Sequence, residues 1–130
     1  MWRMKNMKKW KNQNFGQALV HATNGIKYAF KNERNLKIQI VFAVFVIIAA
    51  IVLPLSVSEI LILGLTIGIV LLAEMMNTAI EIVLDLYTEK YDEKVKIAKD
   101  VSSGAVLIIA IMSVIIGCII FLPKLIVILK

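Results

Sequence analysis

The stretch AEMMNTAIEIVLDLYTEKYDEKVKIAKD, residues 73–100, decides how this chain is built. Residues 60–73 carry no charge, and a helix that apolar belongs in a lipid bilayer. Five polar residues nevertheless follow at helical spacing: Glu74, Asn77, Thr78, Glu81 and Asp85. At 100° per residue they fall within an arc of roughly 100°. The pattern therefore predicts a membrane helix with one polar face, which we name the Glu74 stripe.

The acidic side chains of the Glu74 stripe need an explanation. A carboxylate at membrane depth costs about 2.5–3.5 kcal/mol on insertion scales, so an aligned set needs a cation, a metal ion or cavity water. The alternative is structural: Glu81 and Asp85 mark where the helix leaves the membrane, and Glu74 pairs with a lysine. Asn77 favours a functional site, because a helix exit does not need a neutral ligand on the same stripe.

Three long apolar blocks dominate a single-domain chain of 130 residues that is 60% hydrophobic. They predict transmembrane helices at about 36–54, 59–86 and 98–122, each able to cross about 30 Å of hydrocarbon. Between about 13 and 34, an apolar stripe predicts an amphipathic surface helix: Phe15, Leu19, Ala22, Ile26 and Phe30. FKNERN, residues 30–35, has no Gly or Pro, so we expect a bend there rather than a break. The predicted fold is an all-α integral membrane protein.

The basic residues predict the topology. Nine of the fifteen Lys and Arg lie in residues 1–37, and four lie in residues 85–100. The positive-inside rule then places the N-terminus and the 85–100 loop in the cytoplasm and the 54–59 turn outside. This orientation accounts for the net charge, so no nucleic acid partner is predicted. The basic segment 1–12, with Trp2 and Trp10, either lies on anionic lipid or forms a disordered tail.

Several polar residues are predicted to meet at one membrane boundary: Glu33, Glu74, Asn77, Glu81, Asp85, Lys99 and Asp100. Carboxylates with an amide oxygen suit Mg²⁺, and a lysine beside them suits phosphate. No GxxxxGK[ST] loop is present, so a nucleotide is not held as in P-loop enzymes. A lone His21 and a lone Cys118 do not favour a zinc site or a disulfide.

Depth in the membrane separates the roles of the acids. Glu74 lies roughly 16 Å from Asp85 along the helix axis, which makes it the deepest acid and the best base for a lipid hydroxyl. Glu81, nearer to water, is the better metal ligand. Simpler explanations remain for three residues: Glu33 as a surface ion pair, Lys99 as a snorkelling anchor and Asp100 as a helix cap.

Two separated motifs carry a family resemblance. The first is Glu74-x-x-Asn77-Thr-Ala-Ile-Glu81 followed by Asp85, and the second is the Ala-Lys-Asp of residues 98–100 with small residues after it. Together with Asn32-Glu33 and the three-span length, they resemble the signature of the prokaryotic diacylglycerol kinase family. The likeness covers residues 15–122. Within the family the chain is similar to the Gram-positive branch, whose members phosphorylate undecaprenol. The similarity to that branch is greatest in the stretches FKNERN and KIAKDVSSGAVL.

The resemblance implies a bacterial cell-membrane enzyme that is a homotrimer with active sites between subunits. It implies Mg-ATP as the donor and a membrane lipid alcohol as the acceptor. Glu74 falls on the general base, Glu33 and Glu81 fall on metal ligands, and Glu74 and Lys99 fall at the lipid substrate. The positions implied at the nucleotide are His21, Glu33, Asn77, Glu81, Asp85, Lys90, Tyr91, Asp92, Lys99 and Asp100.

Two positions depart from the family pattern. The family usually has Tyr-His in the loop before Ala-Lys-Asp, where this chain has Tyr91-Asp92. A position four residues before Gly25 that is often aromatic is His21 here. Both departures concern adenine contacts rather than the metal site.

Undecaprenol is the preferred acceptor on this resemblance, with diacylglycerol as the alternative. A function of another class is a small transporter or ion-conducting oligomer, with the Glu74 stripe lining a path for protons or cations. Such a path needs polar groups across the membrane, whereas the outer halves of the spans offer only scattered Ser and Thr. A packing subunit without activity leaves the Glu74 stripe without a purpose.

Overall fold

A computed structural model describes residues 14–130, and the regular structure in that range is entirely helical. The helices are α1 (Phe15–Asn32), α2 (Arg34–Val52), α3 (Val57–Tyr87) and α4 (Glu93–Ile128). They confirm the all-α class. The basic segment 1–12, for which we predict either lipid contact or disorder, lies outside the described residues. The chain divides into two units, residues 1–32 and residues 33–130, and each is described by itself.

Helix α1 belongs to the first unit. Asn14 precedes it, and its Oδ1 accepts a hydrogen bond of 2.9 Å from the backbone N–H of Gln17, which satisfies one of the free donors at the helix start. Phe15, Leu19 and Ile26 of the predicted apolar stripe are exposed. That this face of α1 lies on a membrane surface stays a prediction.

The chain leaves helical geometry at Glu33, between α1 and α2. Glu33 has φ −94° and ψ 115°, which is extended backbone, and it stands at the N-cap position of α2. The expectation that FKNERN bends without a break is therefore wrong. The Glu33 side chain makes no capping hydrogen bond, so its carboxylate is not used to close the end of α2.

Helices α2, α3 and α4 form the second unit, and all three are long and apolar enough to cross a membrane. They contain 19, 31 and 36 residues, so they extend for roughly 28, 46 and 54 Å at 1.5 Å per residue. Helix α3 packs against both α2 and α4 and is the central element of this unit. The buried side chains of α3 consequently lie where they can contact one of the two other helices.

The turn between α2 and α3 is closed by a reciprocal cap. Glu59 Oε2 accepts a 2.7 Å hydrogen bond from the Ser56 backbone, and Ser56 Oγ accepts one of 3.3 Å from the Glu59 backbone. The other carboxylate oxygen of Glu59 lies 3.2 Å from Lys124 Nζ on α4. This ion pair joins α3 and α4 at the end of the bundle opposite the Glu74 stripe.

Helix α4 is longer than the stretch 98–122 that hydropathy predicts. Asp92 caps it by accepting hydrogen bonds from two backbone N–H groups, those of Lys94 at 2.9 Å and Val95 at 3.1 Å. Asp100 therefore lies inside the helix, and its interpretation as a helix cap is wrong. At the other end α4 continues through Pro123 to Ile128. Proline lacks a backbone N–H, and membrane helices tolerate it where neighbouring groups satisfy the carbonyl oxygen that is left without a donor.

Candidate active site

Glu74 lies at the buried centre of the second unit. Its side chain is 2% exposed, and among residues 14–130 it is the largest side chain that is fully buried. Gln39 on α2 donates a hydrogen bond of 3.2 Å from Nε2 to Glu74 Oε2, and the Asn35 side chain hydrogen-bonds to the same carboxyl group. Two amide side chains of α2 therefore hold and orient a carboxyl group of α3.

The Glu74 stripe runs from the interior of the bundle towards its surface. Glu74, Asn77 and Thr78 are buried, Glu81 is half-buried and Asp85 is exposed. Thr78 Oγ1 donates to the backbone carbonyl of Glu74 at 3.0 Å, and Asn77 Nδ2 donates to Glu81 Oε1 at 3.1 Å. The polar groups are thus linked one helical turn at a time, with the most buried acid at the deep end.

Helix α4 brings a cation to the exposed end of the stripe. Lys99 Nζ lies 2.5 Å from Asp85 Oδ1, and its charge also interacts with that of Glu81. Asp100, by contrast, pairs along its own helix with Lys96, at 2.6 Å. Lys99 is accordingly the residue of the Ala-Lys-Asp motif that reaches the stripe, while Asp100 faces another exposed charge.

The oxygen donors near Glu74 suit a hard divalent cation. The negative charges of Glu33 and Glu81 both act on the carboxyl group of Glu74. Asn77 Oδ1 is buried without a hydrogen-bond partner, which leaves a neutral oxygen available as a ligand. Within residues 14–130 no three acidic, His or Cys residues form a closed metal-binding group. The donor set fits Mg²⁺, which binds one or two protein carboxylates and fills its shell with water and phosphate oxygens.

The other residues predicted at a nucleotide lie at exposed positions. His21 is on α1 in the first unit, and Lys90 and Tyr91 are in the turn between α3 and α4. Lys90 is held in that turn by a 3.0 Å hydrogen bond from its backbone N–H to Thr88 Oγ1. The side chain of Asp92 is engaged in capping α4, which gives it a local structural role.

Sequence reasoning missed the amides of α2. Gln39 is the single polar residue in the apolar run 38–53, and Asn35 lies one turn before it. An isolated polar residue in a membrane span needs a partner for the same reason that a charged one does. That signal identifies Gln39 from the sequence, although it does not identify Glu74 as the partner.

Comparisons with known proteins identify the family of the chain. The family model described as Prokaryotic diacylglycerol kinase matches residues 20–121. An undecaprenol kinase of Bacillus subtilis (strain 168) is 42% identical over 111 residues, which cover 85% of this chain and 90% of that protein. A diacylglycerol kinase of Synechocystis is 43% identical over 106 residues, which cover 81% of this chain and 61% of that protein. A diacylglycerol kinase of Escherichia coli (strain K12) is 31% identical over 103 residues, which cover 79% of this chain and 84% of that protein.

The matched region contains α2, α3 and the part of α4 that carries Lys99, so it includes each of the contacts described around Glu74. The match also extends over most of the chain rather than over one motif. With its three apolar helices and this coverage, the chain is a membrane protein that belongs to the prokaryotic diacylglycerol kinase family.

Proposed function

We propose that this protein transfers the γ-phosphoryl group of ATP to the hydroxyl of a membrane lipid alcohol, with undecaprenol as the acceptor. One observation carries the proposal: a buried carboxylate in a membrane-spanning helix is oriented by two amides, and the charges of two further acids, Glu33 and Glu81, act on it. The similarity to the undecaprenol kinase of Bacillus subtilis supports the acceptor. Diacylglycerol is the alternative acceptor, because two of the relatives carry the name diacylglycerol kinase.

Glu74 is the general base in this mechanism. Its carboxylate accepts the hydroxyl proton of the lipid while the alcohol oxygen attacks the γ-phosphorus of ATP, and the bond from that phosphorus to the ADP oxygen breaks. The proton then passes from Glu74 to water. Gln39 and Asn35 hold the carboxylate in place, so little reorganisation is needed at the moment of transfer.

Glu33, Glu81 and the unpartnered Asn77 Oδ1 are the groups we assign to Mg²⁺. The ion supplies charge neutralisation on the phosphate oxygens when it is bound, which is the main requirement of phosphoryl transfer. Asn77 also donates to Glu81, so that it orients one ligand while offering its own oxygen. Lys99, already beside Asp85, is placed to neutralise a phosphate.

Further features of the proposal rest on the family resemblance. We place ATP near Asp85, Asp100 and the turn residues Lys90, Tyr91 and Asp92, with His21 near the adenine. We expect a homotrimer with sites between subunits, which is in keeping with an acidic group that does not form a closed metal cage within residues 14–130. We also propose that residues 1–37 and 85–100 are cytoplasmic and that α1 lies on the inner surface of the bacterial cell membrane, which the positive charge of those segments supports.

The side chains that line the space next to the site do not favour a transport function. Beyond Gln39 the space between α2, α3 and α4 is lined almost entirely by apolar side chains, which do not support a path for ions. The kinase is tested by incubating purified protein with labelled ATP, Mg²⁺ and candidate lipid alcohols. A phosphorylated lipid that disappears in Glu74→Gln supports the proposal, and the absence of transfer to every alcohol would overturn it.

A further inference from the structure

The carboxyl group of Glu74 is covered. The residue is 2% exposed in a single copy of the chain, and assembly with further copies can only reduce that exposure. A general base must come within about 2.6–3.2 Å of the oxygen whose proton it accepts. A lipid hydroxyl therefore reaches Glu74 only after a group that covers it has moved.

The two amides that bond to Glu74 differ in their surroundings. Asn35 is exposed and lies in the first turn of α2. Gln39 is half-buried and lies one turn deeper, roughly 6 Å along the helix axis. Its Oε1 is buried without a hydrogen-bond partner, so that side of the amide is out of reach of water. An amide that leaves Glu74 can consequently be hydrated at position 35 but not at position 39.

Asn35 and a lipid hydroxyl make the same kind of bond to Glu74. The amide of Asn35 donates an N–H to the carboxylate, and an alcohol donates an O–H to it. An alcohol that takes the place of Asn35 thus replaces one donor with another, and the released amide bonds to water. Displacement of Gln39 would instead leave an amide without a partner in apolar surroundings, which is costly. The exchange is therefore favoured at Asn35.

Building on the function proposed above, we propose that Asn35 is the gate to the base: the hydroxyl of the lipid acceptor displaces the Asn35 amide from Glu74. Gln39 stays in place and is the positioning residue that keeps the carboxylate oriented during transfer. The gate lies where the predicted span begins, at the boundary of the membrane. The hydroxyl of a lipid alcohol stays near that boundary, because burial of an unpaired hydroxyl in hydrocarbon is costly.

Two substitutions that affect the same carboxyl group test the gate. Asn35→Ala removes a donor that the alcohol has to displace, which favours the bound ground state and the transition state equally. We expect the acceptor KM, as a mole fraction in mixed micelles, to fall about tenfold with kcat unchanged, near the lower end of the factor of roughly 12 to 150 for a hydrogen bond to a charged group. Gln39→Met has a side chain of similar length without an amide. It should lower kcat at least about tenfold and leave the acceptor KM unchanged.

The split between KM and kcat distinguishes a gate from a second support. Equal losses of kcat in the two variants would show that Asn35 positions the base as Gln39 does, and the gate would be refuted. A higher acceptor KM in Asn35→Ala would also refute it, because Asn35 would then contribute to acceptor binding. Asn24→Ala makes the same change at an exposed position of α1 and should alter neither constant.

Chemical labelling measures the cover over Glu74 without any lipid substrate. Dicyclohexylcarbodiimide is an apolar reagent that enters membranes and adds to carboxyl groups. Asn35→Ala and Gln39→Met each remove one hydrogen bond from Glu74, so their effects on its protonation are matched and the difference in rate reports access. We expect Glu74, identified by peptide mass, to react at least about tenfold faster in Asn35→Ala than in Gln39→Met. Equal rates would show that another group covers the base.

The two readouts separate this inference from the proposed function. If no alcohol is phosphorylated, the kinase proposal fails, while the labelling rates still decide whether Asn35 covers Glu74. If alcohols are phosphorylated and the labelling rates are equal, the kinase proposal stands and the gate is wrong. Asn35→Ser also lacks the amide, and it repeats both comparisons if Asn35→Ala does not fold.

Discussion

Substitution of Glu74 by Gln separates the chemistry of the site from its structure. The new side chain keeps the shape of the old one, and its amide oxygen can still accept the hydrogen bond from Gln39. Because Glu74 is 2% exposed, folding removes its carboxylate from water, which costs desolvation free energy. The neutral amide of Gln has a smaller desolvation cost, so we expect an unchanged or higher melting temperature. Loss of a general base lowers turnover about 10²–10⁴-fold, which corresponds to about 2.7–5.4 kcal/mol in the activation barrier.

The assay follows transfer of the labelled γ-phosphoryl group to the lipid, with ATP affinity measured by a separate titration. We expect kcat to fall by that factor while affinity for Mg-ATP is retained. Glu89→Gln makes the same chemical change at an exposed position in the turn after α3 and should leave turnover unaffected. If Glu74→Gln loses nucleotide binding and nothing else, Glu74 is a ligand and the reasoning about a base is wrong.

Three further predictions address the metal, the topology and the packing. Glu33→Gln and Glu81→Gln should each weaken the Mg²⁺ dependence and the activity together, because each removes a hard oxygen ligand; full activity of both at limiting Mg²⁺ would exclude the assignment. Single cysteines placed at Ser56 and at Thr88 should react with impermeant reagents from opposite sides of the membrane, and reaction from one side would contradict three spans. Lys124→Met should lower the melting temperature in detergent, because it removes the ion pair between α3 and α4; an unchanged melting temperature would show that the pair adds no stability.

The Glu74 stripe was predictable because helical geometry alone fixes it. Residues 3, 4, 7 and 11 positions after Glu74 share one face of any straight helix, and the structure buries the deep members of the stripe and exposes the last. The three apolar helices follow for a similar reason, since a run of that length and composition is stable in a bilayer. Both predictions concern one helix at a time and need no knowledge of neighbours.

Features that depend on hydrogen bonds at helix ends were less predictable. Hydropathy places the start of the last span near residue 98, but Asp92 caps the helix earlier, and a polar first turn outside the apolar block does not register in a hydropathy window. The interruption at Glu33 likewise carries no Gly or Pro signal. In both cases the backbone conformation of a single residue decides where the helix begins.

The contact between α2 and Glu74 can be predicted by counting residues from the turn that joins α2 and α3. Asn35 lies 17 residues before the end of α2 at Val52, and Glu74 lies 17 residues after the start of α3 at Val57. At 1.5 Å per residue both are roughly 26 Å from the turn, and Gln39 is roughly 20 Å from it, a difference in depth of about one helical turn. An amide and a carboxyl group that are each costly to bury alone become partners when antiparallel packing brings them to one level. A lone Gln in an apolar span, placed by its distance from the nearest turn, is therefore a usable signal for the residue that positions a buried acid.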